Sequence, residues 1–442
     1  MKRHFGYALL SCALMLSACG GSDSNNVLAG GVQQASASDC SVSGENYQIQ
    51  GVMQDWYYWY QQLPAANPTA YSDPESFVEA LRYQPLDRFS YVTSQAANQA
   101  FYGAGQYVGV GISQQLTASN TLQVSDVYPS SPAADAGMVR GDTILVINGV
   151  AVSTLIAQGT LGDAYGPATV GVKVALEFQH AAGGTHTATL TKAVVTQPNV
   201  SRIEVFTAGS HKVGYFFFQN FIQPSNTALN SAFKQLKADG VDELVIDDRY
   251  NGGGLLSVAQ YLGSLIAGSS EAGQTFATLN YNNRHTDQDY TFKFDQETNA
   301  LGLSRVVFIT AGGTASAAEL IINALKPYMD VVTVGSTTFG KPVGENGFDI
   351  CKDVLYPMTF KMTNAAGYGD YFDGFAPTCP AVDDLSHPLG DGSESSLSTA
   401  LYYITNGNCG PHAFAAARTL SERTAMRPLT KTYGWRQLVN AY

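Results

Sequence analysis

Charge is scarce in this chain: Asp, Glu, Lys and Arg make up 14% of its 442 residues, and 24 basic side chains face 36 acidic ones. A net charge of −12 with no basic stripe argues against nucleic acid as a partner. Cysteine is also rare, and none of the six belongs to a Cys-x-x-Cys pair, which removes the usual signature of a four-cysteine metal site. After the first eighteen residues no apolar run is long enough to span a bilayer. What is abundant is hydrophobic and aromatic material, 45% and 11%, enough to fold most of the chain. Its length implies two or three domains plus tails.

The amino terminus opens with Lys2, Arg3 and His4, continues with an apolar run and ends in Leu16-Ser17-Ala18-Cys19. Such a pattern resembles a bacterial lipoprotein signal over residues 1–18, with Cys19 as the lipidated first residue of the mature chain. Gly20 follows the cysteine, and the resemblance then favours the outer membrane within the cell envelope. Loss of the leader removes Lys2 and Arg3, taking the net charge from −12 to −14. Residues 19–39 are small and polar and read as a flexible tether. With Cys12 in the leader and Cys19 acylated, Cys40, Cys351, Cys379 and Cys409 remain, and an oxidising compartment permits two disulfides. The expected pairs are Cys351 with Cys379, clamping an extension between Asp349 and Pro380, and Cys40 with Cys409.

The chain is organised around Val306 to Lys341. An apolar β-branched run to Thr310 breaks at Gly312-Gly313, and Ala317, Leu320, Ile321, Ala324 and Leu325 then recur at helix-face spacing. Ser316 falls at the helix start, where free N–H groups and the helix dipole favour negative charge. A second apolar run, Val331 to Val334, leads to Thr338-Phe339-Gly340-Lys341. Taken singly, Ser316 reads as an N-cap and Lys341 as a solvated loop charge. Together they can form a nucleophile and its base, because a desolvated, neutral lysine can accept a serine proton. Phe339 and Val343 flank Lys341 and would supply the desolvation.

Gly313-Thr314-Ala315-Ser316-Ala317-Ala318-Glu319, with Thr338-Phe339-Gly340-Lys341 after a helix and a strand, resembles the carboxy-terminal processing, or tail-specific, serine peptidases. The resemblance implies that Ser316 is the nucleophile and Lys341, twenty-five positions on, the general base. A third segment, from Glu243 through Gly252-Gly253-Gly254 to Leu256, is similar to the family's strand and glycine turn. It implies an oxyanion hole made by the N–H groups of Gly253 and Ala317, each worth about 3 kcal/mol in such sites. Glu319 matches a family glutamate and would hold the site's hydrogen bonds. Where family members often carry a glutamine that orients the lysine, this chain has Glu345, whose charge favours the ammonium form and opposes the base role.

Residues 40–98 read as a small helical cap with an aromatic run, Trp56 to Tyr60, and a helix capped by Asp73 with Pro74 in its first turn. Core packing accounts for the aromatics better than a peptide platform does. Residues 99–195 are β-rich, and Ser131-Pro132-Ala133-Ala134, Gly141-Asp142 and Ile147-Asn148-Gly149 make them look like a PDZ domain. Such domains add a peptide as an extra strand, which nominates Tyr107, Val108, Gly109 and Val110 for peptide binding. Residues 196–409 form an α/β peptidase core in which Asp247, Asp248 and Arg249 read as ion-paired bracing beside the glycine turn. Residues 410–442 read as a tail.

The fold class is therefore α/β (α+β) and multidomain: helical cap, PDZ-like module and peptidase core. The function expected is a lipid-anchored serine endopeptidase acting on protein or peptide substrates, without metal or organic cofactor. An activating partner stays unnamed. One alternative pairs Ser316 with His387 and Asp383 or Asp384. Another is a non-catalytic peptide-binding lipoprotein in which Glu345 keeps Lys341 charged.

Overall fold

The computed structural model describes residues 33–34, 39–117 and 119–411. The leader, Cys19 and the tail beyond residue 411 lie outside the described residues, as does the anchoring read from them.

A six-stranded sheet forms the centre of the core, in the order Val200–Ala208, His211–Phe218, Glu243–Asp247, Arg305–Thr310, Asp330–Gly335 and Cys379–Pro380. Only the first pair is antiparallel. The central strands are apolar on both faces, as parallel strands covered by two layers must be. Alternation divides them: Leu244, Ile246, Val306 and Phe308 face Leu229, Phe233, Leu262 and Leu320. Their neighbours Val245, Val307, Ile309 and Val334 face Leu397, Ala400 and Ile404. Helices Ser225–Ala238, Leu256–Ala267 and Ala317–Leu325 thus cover one face, and Ser395–Asn406 covers the other.

An antiparallel sheet of Tyr290–Lys293, Thr275–Tyr281, Met358–Thr363 and Val343–Glu345 packs beyond the first helical layer. The hairpin between Tyr281 and Phe294 forms its edge, with Phe292 inside and Tyr290 exposed. At the amino end, helices Val42–Trp56 and Pro74–Leu81 begin on Ser41 and Asp73, whose side chains accept the Gly44 and Ser76 N–H groups. The aromatic run is core: Tyr57 is buried and its hydroxyl donates to Asp87 at 2.7 Å.

In the β-rich region Ile112–Leu116, Leu122–Val127, Thr143–Ile147, Lys173–Gln179 and Thr185–Thr191 make a second antiparallel sheet, with helix Val152–Gln158 packed on it. Here the expected peptide strand is displaced. Tyr107, Val108 and Gly109 belong to a separate ladder with Ala193–Thr196, and Val110 is buried in the module's core. With Val150–Ala151 paired to Thr143–Ile147 this sheet has six strands, and its edge strands are Ile112–Leu116 and Thr185–Thr191. Gln106–Gly109 is a strand followed by a bend at Gly111, so the sheet edge begins a few residues later than Tyr107 to Val110.

The cysteines pair differently from expectation: Cys40 with Cys351 and Cys379 with Cys409, at Cα separations of 5.8 and 5.2 Å. Cys351 lies in the turn between Phe348–Ile350 and Asp353–Tyr356, a hairpin that packs against helix Val42–Trp56, which Cys40 precedes. Cys379 is on the last strand of the central sheet, beneath helix Ser395–Asn406, and Cys409 follows that helix. Cys351 therefore sits on a hairpin of one sheet and Cys379 on a strand of another. Replacing Cys379 and Cys409 together by serine frees a loop of sequence separation 30 and is expected to lower unfolding stability by about 3–4 kcal/mol. Urea titration of the oxidised chain and its variant measures this.

Candidate active site

Strand Arg305–Thr310 ends at the glycine break, and the chain turns sharply into helix Ala317–Leu325. Ser316 makes the turn at φ +55° and ψ −115°, a conformation that costs a non-glycine residue energy and that persists only where its surroundings enforce it. The enforcement comes from Glu319. Its fully buried carboxyl group receives the Ser316 N–H at 3.1 Å and the Lys341 N–H at 2.8 Å on Oε2. Oε1 receives the Gly340 N–H at 2.7 Å and the Thr338 hydroxyl at 2.5 Å. Burial pushes this carboxyl group above the usual range while the four donors pull it back, and an acceptor for four donors is what a carboxylate provides.

Lys341 lies almost wholly inside, with Nζ 5.8 Å from the Phe89 ring centre and Val343 buried nearby. The segment before it is tied to the serine side by Phe339 N–H to Thr314 O at 2.9 Å. Gly340 has φ +86°, and a Cβ there would overlap the Phe372 carbonyl, so only glycine lets the loop pass. The amine is occupied: Glu345 Oε1 and Oε2 stand 3.1 and 2.9 Å from Nζ. The glutamate at this position is thus an ion-pair partner of Lys341.

The glycine turn lies directly against the serine. A Cβ on Gly253 would stand 2.7 Å from Ala315 O, 2.8 Å from Ala317 N and 2.9 Å from Ser316 Cβ. Ala317 is the first residue of its helix, where an N–H has no acceptor within the helix. The Gly253 N–H donates to Asn251 Oδ1 at 2.9 Å. Next to the turn, Arg249 pairs with Asp247 and with Glu394, and through Nη1 with Asp383 at 2.8 Å. Asp383 also takes Arg140 of the PDZ-like module at 2.7 Å. Burial alone would raise Asp383, but the two guanidinium groups override it and hold the carboxyl group at about 2. The bracing read from sequence is present and reaches further, joining the module to the core.

Among the described residues no hydrogen bond joins His387 to Ser316 or Lys341. Its ring bonds to Asp384 Oδ2 at 2.7 Å and contacts Ser386 Oγ at 3.1 Å, and its carbonyl receives Arg140 Nε at 3.0 Å. Tyr107, Val108, Gly109 and Val110 are given over to packing and a ladder.

A family model described as peptidase family S41 matches residues 212–379, the peptidase S41 N-terminal domain matches residues 44–91, and a PDZ domain matches residues 123–162. Residues 212–379 are thus similar to the core of peptidase family S41. The carboxyl-terminal-processing protease of a Synechocystis species is 28% identical over 261 residues, 58% of each chain. The carboxy-terminal-processing protease of Bartonella bacilliformis is 26% identical over 277 residues, 60% of each chain. The chain therefore spans little more than half the length of these curated relatives. Among solved structures, a Bacteroides fragilis protein assigned to the S41 proteases aligns with a TM-score of 0.64 at 28% identity, over 81% of this chain and 97% of that one. Mature CPAF complexed with lactacystin shares the fold, with a TM-score of 0.53 at 12% identity over 82% and 98%.

This core contains parts that the sequence reading passed over. Thr338 is a donor to Glu319 and also receives the Phe375 N–H at 2.7 Å. Asn251 occupies the place two residues before Gly253 where an Asx turn forms, a local signal that was available. Arg140 carried no such signal, since the core groups it binds, Tyr250 and Asp383, are more than a hundred residues away in the chain.

Proposed function

We propose that this chain is an S41 serine endopeptidase of the bacterial cell envelope, lipid-anchored through Cys19. Ser316 Oγ attacks the scissile carbonyl, and Lys341 Nζ, once neutral, takes the serine proton and passes it to the leaving amine. Water then resolves the acyl-enzyme by the same route in reverse. Ala317 N–H and Gly253 N–H receive the oxyanion. No metal or organic cofactor enters any of these steps. A protein tail is added as a strand along Ile112–Leu116, an edge of the PDZ-like sheet, and its continuation enters the core.

The observation that supports this reading most is the single oxygen, Glu319 Oε2, that receives the backbone N–H groups of both Ser316 and Lys341. It relates two residues twenty-five positions apart. The names of the curated relatives, carboxyl-terminal-processing proteases, agree with it. A second reading, a peptide-binding protein without catalysis, draws on the Lys341–Glu345 ion pair, which occupies the amine.

Incubation of an unfolded protein bearing an apolar free carboxy terminus with the full-length chain separates the two. Cleavage by the parent and none by Ser316→Ala is the expected result. Binding of the tail by both forms with cleavage by neither would move the assignment to the peptide-binding reading.

A further inference from the structure

One side chain organises the glycine turn beside Ser316. Asn251 is completely buried, and its amide makes three bonds: Oδ1 accepts the Gly253 N–H at 2.9 Å, and Nδ2 donates to Phe218 O at 3.1 Å and to Asp248 Oδ1 at 3.0 Å. Its backbone carbonyl accepts the Ala315 N–H at 3.0 Å, one residue before Ser316. Asp248 adds a parallel tie, for its carbonyl accepts the Thr314 hydroxyl at 2.8 Å. The Asp248 carboxyl group is itself buried, and burial pushes it well above the usual range, with Asn251 opposing and Asp247 adding to the rise. Asp248 Oδ2 has no hydrogen-bond partner among the described residues. Asn251 thus links the oxyanion turn, through its side chain, to the serine elbow, through its main chain.

We infer that Asn251 is a positioning residue of the oxyanion pocket, fixing Gly253 N–H at a set distance from Ala317 N–H. This rests on the serine-peptidase reading above. In the structure the Gly253 N–H is directed to Asn251 Oδ1, a neutral acceptor. When the tetrahedral intermediate forms, its oxyanion is the stronger acceptor and the N–H is shared between the two. The arrangement keeps a buried donor satisfied at every stage while holding the turn in a shape that glycine alone would not keep. Nothing in this role touches substrate binding along the PDZ-like edge, so it predicts a loss in kcat and not in KM.

The test uses full-length parent, Asn251→Ala and Asn251→Ser on one fluorogenic peptide, with Ser316→Ala as the blank. Asn251→Ala is expected to lower kcat about 100-fold with KM within threefold, as loss of one oxyanion donor would. Asn251→Ser is expected to recover at least tenfold of that, because a serine hydroxyl can accept the N–H two residues on. A peptide boronate should lose affinity for Asn251→Ala in step with kcat, while peptide binding to Ser316→Ala and to Ser316→Ala/Asn251→Ala stays equal. The inference falls if kcat of Asn251→Ala lies within twofold of the parent, if serine rescues nothing, or if the loss appears in KM. Should the alanine variant fail to melt cooperatively, the serine variant and the boronate decide. A parent no more active than Ser316→Ala overturns the peptidase reading and this inference with it, whereas an active parent with an unaffected Asn251→Ala overturns the inference alone.

Discussion

Replacing Glu319 by alanine is expected to cost about as much activity as replacing Ser316. Three backbone N–H groups and the Thr338 hydroxyl end on the Glu319 carboxyl group. Left buried without an acceptor, each costs about 1–3 kcal/mol, so the alanine variant should also unfold several kcal/mol more easily. The informative variant is Glu319→Gln. Its oxygen keeps one side of the arrangement, but its amide nitrogen meets donors where an acceptor is needed. The Ser316 and Lys341 main chains share Oε2, so disturbing it moves nucleophile and base relative to one another. Misplacement by about 1 Å can cost a hundredfold. We expect a folded Glu319→Gln enzyme with kcat down about a thousandfold and KM little changed. A variant within tenfold of the parent in kcat would show that Glu319 is an ordinary helix cap and that the elbow holds its shape without it.

Glu319 also marks where reading the chain succeeded and where it stopped. The Ser316 elbow, the glycine turn and the Lys341 loop were legible because each is local. A β-branched run, a glycine break and a helix-face repeat place a residue at a helix start whatever surrounds it, and Gly340 must be glycine because the loop passes the Phe372 carbonyl. Glu319 was legible as a residue three places into a helix, but not as the common acceptor for Ser316 and Lys341. That required knowing that the Asp330–Gly335 strand lies beside Arg305–Thr310 and returns the chain over the helix start. The cysteines failed for the same reason, since spacing says nothing about which hairpin packs against the Val42–Trp56 helix. The groove residues lie elsewhere than the pattern suggests: Tyr107 to Gly109 form a two-stranded ladder with Ala193–Thr196, some eighty residues later, outside the larger PDZ-like sheet. The union of Arg140, Asp383 and Arg249 joins two folding units, and no single segment announces such a junction.

Glu345→Gln is expected to speed cleavage at neutral pH. Lys341 can serve as base only without its proton, and in the structure both Glu345 oxygens stand about 3 Å from the amine. A carboxylate at that distance holds the amine by charge and hydrogen bonding together. Glutamine keeps the length and one oxygen to orient the amine but carries no charge. The amine should then be freer to turn to the Ser316 hydroxyl, and kcat should rise about tenfold. Turnover of one peptide by parent and variant, with Lys341→Ala as the inactive reference, measures this directly. If Glu345→Gln instead lowered kcat, the carboxylate would be part of the working site, accepting a hydrogen bond that aims the amine at Ser316.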